Sequence, residues 1–315
     1  MRSEGHAVES ICRVLREQGC QIAARTYRAI RSGQRGLSAR TVSDAQTAEA
    51  IRRVAFTTDA HGRRRLAPEG LYGRRKMLAH LRRGGLEVTP GAVDRGMRLL
   101  GLSGVVRGRL HRTTIADKTA DRAPDLLNRD FTASAPNRVW VTDFTYCRSW
   151  AEFVYVAFIV DVYAQRIIAW HCQTTKTVDL VMTPLRMAIW ERDRQGHPTS
   201  AGELIHHSDA GSQYTAIKLT ENLTLQGISP SIGSVGDAYD NALMECINGL
   251  YKAECIRTQV FHQGPYRTIG DVEYATAGWV DWYNNRRLHS SIGMVPPAEY
   301  EQAYYAALNR EPQPV

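Results

Sequence analysis

The feature that most restricts this fold is a change of hydrophobic period at residue 138. Val139-Trp140-Val141-Thr142-Asp143-Phe144-Thr145-Tyr146 reads as a strand rich in β-branched and aromatic residues. Residues 153–163 and 166–172 read as two more, and the short connections imply an antiparallel meander. Alternation follows: a helical pattern at 178–192 through Val181, Leu185 and Ile189, a short buried strand at 204–208, a helix at 217–225, a strand at 228–232, and a long helix at 241–256. Three carboxylates stand within this pattern, one mid-strand, one just past a strand and one on a helix.

Those carboxylates are Asp143 in Val-Thr-Asp-Phe-Thr (141–145), Asp209 in His-Ser-Asp-Ala-Gly-Ser-Gln-Tyr (207–214) and Glu245 in Asp-Asn-Ala-Leu-Met-Glu (240–245). Asp143 is mid-strand, where a buried charge is costly without partners or metal. Asp209 follows a strand at its C-terminal edge, where open α/β sheets place ligands. Glu245 shares a helical stripe with Asn241, Asn248 and Lys252. Three such groups can converge on a pair of hard cations, as in-line phosphodiester displacement requires. Asp161 is the rival first carboxylate. His206 and His207 invite a metal reading, but Mg²⁺ prefers oxygen, so structural or DNA-proximal roles are expected.

The first hundred residues read as short helices. Ser43 and Gln46 form a capping-box pattern ahead of Ala48, Ile51 and Val54. Residues 72–102 have the outline of a helix-turn-helix: a helix ending at Gly84-Gly85, then Thr89 as cap with Pro90 at the first helical position. Arg74, Arg75, Lys76, Arg82 and Arg83 make it a DNA-binding candidate; an ordinary helix pair is the alternative. Residues 1–118 carry 24 Lys/Arg against 10 Asp/Glu, whereas the whole chain is only +8. A basic front half on an acidic-leaning back half suits a DNA grip joined to a metal-dependent core. None of the six cysteines forms a C-x-x-C pair, which argues against a zinc knuckle. No signal peptide opens the chain, and the longest apolar run, 154–160, is too short to span a bilayer.

Spacing and flanking residues of the three carboxylate motifs resemble the DDE transposases and retroviral-type integrases. More narrowly, they resemble the bacterial insertion-sequence transposases of the IS-three family, second reading frame. Trp140 to Thr145 matches the family's Trp-x-x-Asp-x-Thr, which selects Asp143 over Asp161. Lys252 matches the cation seven residues after the catalytic Glu. Tyr-Gly-Arg-Arg-Lys-Met-Leu-Ala-His-Leu-Arg (72–82) and Trp282-Tyr283-Asn284-Asn285-Arg286-Arg287-Leu288-His289 also match, so the resemblance spans roughly residues 70–300. Ala210 departs from the family, which often has a basic residue there.

The resemblance implies an α/β, ribonuclease-H-like core, a mixed five-stranded sheet flanked by helices, preceded by an all-α helix-turn-helix region. The implied division is a helical DNA-binding region at 1–102, a linker at 103–137, a catalytic core at 138–300 and a C-terminal tail at 301–315. It implies a transposase cutting and joining DNA at terminal inverted repeats, with two Mg²⁺ or Mn²⁺ ions on Asp143, Asp209 and Glu245. It also implies cap and supporting roles for Asp240 and Asn241, and DNA contacts for Lys252, with Arg286, Arg287 and His289 either touching DNA or packing the tail. Expected partners are inverted-repeat and target DNA, further copies of the chain, and an upstream reading-frame product; the expected location is the bacterial cytoplasm, on the chromosome. The alternatives are a nuclease that cuts without joining, or a silent DNA-binding relic.

Overall fold

The computed structural model describes residues 6–33, 36–106, 123–127, 130–209, 211, 213, 214, 216–233 and 242–310. A five-stranded sheet organises the second half. Its order is β5-β4-β3-β6-β7, with β3 (Val139–Arg148) central, β4 (Phe153–Asp161) and β5 (Arg166–Gln173) antiparallel on one side, and β6 (Ile205–Ser208) and β7 (Ser229–Ile232) parallel to β3 on the other. Tight hairpin connections permit only the antiparallel pairs, whereas parallel neighbours need a helical crossover. Those crossovers are α6 (Asp179–Arg194) and α7 (Ile217–Leu225).

Strand alternation splits the core into two layers. Trp140 and Ile159 pack with Val181, Leu185, Leu219 and Leu223 on the α6/α7 face. Val141, Val156 and Phe158 pack on the opposite face with α8 (Ala242–Leu250) and α9 (Ile269–Asn285), through Ile247, Trp279 and Trp282. Past Leu250 the backbone widens into a π-helical segment, Tyr251–Ile256. The helix expected over 241–256 is thus α-helical only to Leu250. No helix among the described residues is long and apolar enough to cross a membrane.

The front half is helical: α1 (Val8–Glu17), α2 (Ala24–Arg31), α3 (Ala39–Ala55), α4 (Arg74–Arg83) and α5 (Pro90–Leu99), with a two-stranded hairpin of β1 (Phe56–Thr58) and β2 (Arg64–Leu66) between α3 and α4. Thr89 caps α5, its hydroxyl accepting from the Ala92 amide at 3.2 Å. The cap of α3 is Ser38, which accepts from the Thr41 amide at 3.1 Å. The expected capping box at Ser43 is therefore wrong: Ser43 lies inside the helix, its carbonyl taking the Thr47 hydroxyl at 2.9 Å. Helix α4 begins at Arg74 because Tyr72 stays extended and is used elsewhere. Its ring stacks on Trp282 at 5.9 Å. Its hydroxyl donates to the Arg286 carbonyl (3.2 Å) and accepts from the Leu288 amide (3.1 Å). Glu69 accepts from the Trp282 indole at 3.0 Å, so the helical unit is docked against α9.

A second correction concerns the end of the chain. Residues 301–308, expected as part of a tail, belong to α10 (Pro297–Leu308). Glu301 is 1% exposed and shares the fully buried Arg192 with Asp161; Arg166 also reaches Glu301, at 2.9 Å. Burying one carboxylate demands a counter-charge, and that demand fixes the last helix to the sheet.

Candidate active site

Register brings the first two carboxylates together. Thr142 pairs with Ser208 in the parallel β3–β6 ladder, so Asp143 and Asp209 are the next residues on adjacent strands running the same way. Asp143 Oδ1 accepts the Phe144 amide at 2.7 Å, and Oδ2 accepts the Asn248 side-chain amide at 2.9 Å. Asn248 is three residues after Glu245 on α8, which ties that helix to Asp143's strand. Burial pushes the Asp143 carboxyl well above the ordinary carboxylate range; the charge on Asp209, then that on Glu245, raises it further, while the Phe144 amide and Lys252 pull it down. Asp143 therefore lies within electrostatic reach of both Asp209 and Glu245. The three do not form a ready cage for one ion: among the described residues no three acidic, His or Cys side chains have that geometry.

Tyr214 is a site residue that sequence reading did not single out. It is 2% exposed, stacks on Phe144 at 6.1 Å, and is raised well above the usual phenol value by burial, with Asp143 and Asp209 adding to the rise. Its place in the Asp209 motif was the available signal. Lys252 lies in the π-helical segment, half-buried, its amine 4.9 Å from the Tyr146 ring centre. Burial lowers its pKa, with Asp143 acting in the opposite direction. Asp240, Asn241 and Ala210 lie outside the described residues.

Asp161 is a packing residue, accepting the Asn137 and Tyr163 amides and pairing with Arg192. Arg287, expected as a DNA contact, is instead 3% exposed and bound to Glu254 at 2.6 Å, and that carboxylate also takes the Trp279 indole. A charge so enclosed cannot reach a phosphate. His289 is equally buried and packs on Tyr283 at 4.5 Å. Arg286 is exposed, 3.8 Å from Glu69. In α4, Arg74 meets Asp94 at 2.8 Å, Arg83 meets Glu299 at 2.6 Å, and Arg82 donates to the Val88 carbonyl at 3.1 Å. These three and Arg75 are exposed, whereas Lys76 is half-buried over Tyr72.

His206 and His207 are buried in β6, with His207 Nδ1 2.8 Å from the Ser231 hydroxyl. Burial, aided by His207, drives the His206 imidazole down to about 4. A histidine that is neutral when folded and ordinary when unfolded binds fewer protons in the native state. Its contribution to stability is intact above about pH 6.5 and falls as pH drops toward 4, by at most about 1.4 kcal/mol per unit. The urea midpoint should therefore be lower at about pH 5 than at about pH 7, and His206→Gln should flatten that limb. Equal acid sensitivity in the variant would remove His206 as the cause.

Two family models described as integrase core domain match residues 133–238 and 226–297. A protein of Mycobacterium tuberculosis strain H37Rv, named as a transposase of insertion sequence element IS986/IS6110, is 50% identical over 241 residues, covering 76% of this chain and 85% of its own length. The transposase for insertion sequence element IS629 of Shigella sonnei is 45% identical over 241 residues, covering 76% and 77%. Among solved structures, a chain of the simian T-cell lymphotropic virus intasome is 13% identical with a TM-score of 0.45, covering 78% of this chain and 76% of that one.

Proposed function

Because this chain belongs to the insertion-sequence transposases that carry an integrase core domain, we propose that it cuts and joins DNA at an element's terminal inverted repeats, using Asp143, Asp209 and Glu245. The observation that carries the reading is the β3–β6 register, which sets Asp143 beside Asp209, with Asn248 linking Asp143 to Glu245's helix. A buried Asp143 repelled by the charges on both Asp209 and Glu245 matches the needs of divalent cations with oxygen ligands, Mg²⁺ or Mn²⁺. Two ions, held by Asp143, Asp209 and Glu245, are part of this proposal, as in-line phosphodiester displacement uses one for the attacking and one for the leaving oxygen. When bound there, the ions neutralise charge developing at the phosphate and make water or a 3′-hydroxyl a better nucleophile.

The chain's own residues divide the remaining work. Asn248 and the Phe144 amide hold the Asp143 carboxylate in one orientation. Tyr214, buried against Phe144, packs behind the strand residue that follows Asp143. Lys252 supplies a cation for terminal DNA near Asp143, and Arg74, Arg75, Arg82, Arg83 and Arg286 supply exposed charge for phosphates farther out. The division into a helix-turn-helix unit near 72–102 and a core from 138 is part of this proposal, as are assembly on DNA with further copies and an upstream reading-frame partner.

The test is cleavage and joining of a labelled inverted-repeat oligonucleotide in Mn²⁺, with DNA binding measured separately. Wild type should give both cut and joined products. Glu245→Gln should lose both by roughly 10³-fold while still binding, since the cations supply several kcal/mol of transition-state stabilisation. Cut products without joined ones would favour a nuclease. Equal activity in wild type and variant would remove Glu245 from the site.

A further inference from the structure

Beyond Thr142 the central strand loses its neighbour, because β6 pairs only with Val139–Thr142. Among the described residues, the remaining half of β3 has a strand on one side only. Alternation sends Asp143 toward α8 and residues 144, 146 and 148 to the other face. On that face Tyr146 lies opposite Tyr155, and Arg148 opposite Phe153. The Tyr146 ring centre is 5.6 Å from Phe153 and 6.4 Å from Tyr155. Tyr146 is 38% exposed and Phe153 46%. Each ring also has a cation over it: Lys252 at 4.9 Å from Tyr146, Lys176 at 5.0 Å from Tyr155, and Arg148 at 5.9 Å from Phe153.

We infer that this surface is a stacking platform for unpaired bases at the DNA end, its Tyr146 three residues along β3 from Asp143. The inference rests on the transposase reading above. Exposed rings alone would suit many partners, but rings interleaved with three cations suit a chain that alternates flat bases with phosphates. A base inside a duplex has both faces covered by its neighbours, so only a frayed or displaced end can offer one to Tyr146. Lys252 joins the two regions, since its amine lies over the Tyr146 ring and within the field of Asp143. A strand whose last bases rest on Tyr146 and Phe153 has its backbone led toward Asp143, and the platform thereby selects ends that open.

The experiment uses the full chain in EDTA with a duplex ending in an unpaired overhang that contains 2-aminopurine. Wild type should quench the probe on binding, and Tyr146→Phe should behave alike. Tyr146→Ala with Phe153→Ala should lose the quench and weaken overhang binding roughly 5- to 100-fold. The thermal midpoint of each variant shows that it is folded. An unchanged quench in the double variant overturns the platform. So does an equal loss of affinity for a blunt, fully paired duplex, or displacement of the DNA by an acidic peptide that binds through the same two rings. If wild type joins ends in Mn²⁺ but the quench ignores Tyr146, the platform alone fails. If wild type never cuts, the transposase reading fails, whatever the quench.

Discussion

Replacing Asp143 with asparagine should abolish DNA cleavage and at the same time make the metal-free protein more stable. Activity should fall by at least about 10³-fold, because cation-borne charge stabilisation amounts to several kcal/mol and each tenfold in rate is about 1.4 kcal/mol. The stability gain follows from the raised carboxyl of Asp143, pushed up first by burial and then by Asp209. With a folded value above the unfolded one, the native state holds its proton longer. Stability is then greatest at low pH and falls as pH rises from the ordinary carboxylate value through the raised one. At neutral pH the wild type therefore carries a penalty that asparagine lacks, and the amide oxygen still accepts from Phe144. Thermal unfolding in EDTA should show the variant higher by roughly 1–2 °C, the shift about 1 kcal/mol gives in a chain of this size. Added Mn²⁺ should raise the wild-type midpoint and leave the variant unmoved. A variant less stable than wild type in EDTA would contradict the repulsion argument.

The largest stability effect should come from Arg192. It is fully buried, its guanidinium lies between Asp161 and Glu301, and even so Asp161 is raised by burial above its ordinary value. Arg192→Ala leaves two buried carboxylates with little beyond Arg166 to balance them, at a cost of about 3–5 kcal/mol. The Asp161 carboxyl then has a still higher folded value, so the deficit should shrink as pH falls and it takes up a proton. Arg192→Met together with Asp161→Asn and Glu301→Gln should recover much of the loss, because a neutral, packed site needs no counter-charge. Urea unfolding followed by circular dichroism at about pH 5 and about pH 8 separates the causes. An equal deficit at both values would point to lost packing instead of charge.

The sheet was readable because its strands differ sharply in period from the helices before them, and the three carboxylates because their motifs stand mid-strand, just past a strand and on one helix face. The β3–β6 register was not readable: Ile-His-His-Ser carries no alternation that fixes its partner, and pairing is set by the whole layered core. Arg287 looked like a DNA contact because it sits in an arginine pair near a tail. Its partner Glu254 is 33 positions earlier, on a turn whose π-helical form has no sequence signature. Residues 301–308 looked like tail, yet Pro297 starts a helix there, at a first helical position where a missing amide hydrogen costs nothing. Ser43 has the side chain a cap needs, but α3 begins earlier, at Ala39, and Ser38 caps it instead.

The Tyr72 hydroxyl has a consequence in time. Its two partners lie 214 and 216 residues later in the chain. A ribosome adding about 5–20 residues per second separates their appearance by roughly 10–40 s. Through that interval the ring has no Trp282 to stack on, and the front helices hold together only through their own contacts, such as Arg95 with Asp44. The unit that carries most of the positive charge is thus a free-moving body for most of synthesis and becomes anchored only when α9 has emerged. Anything that binds it before then meets a particle with a different shape and more freedom than the finished molecule.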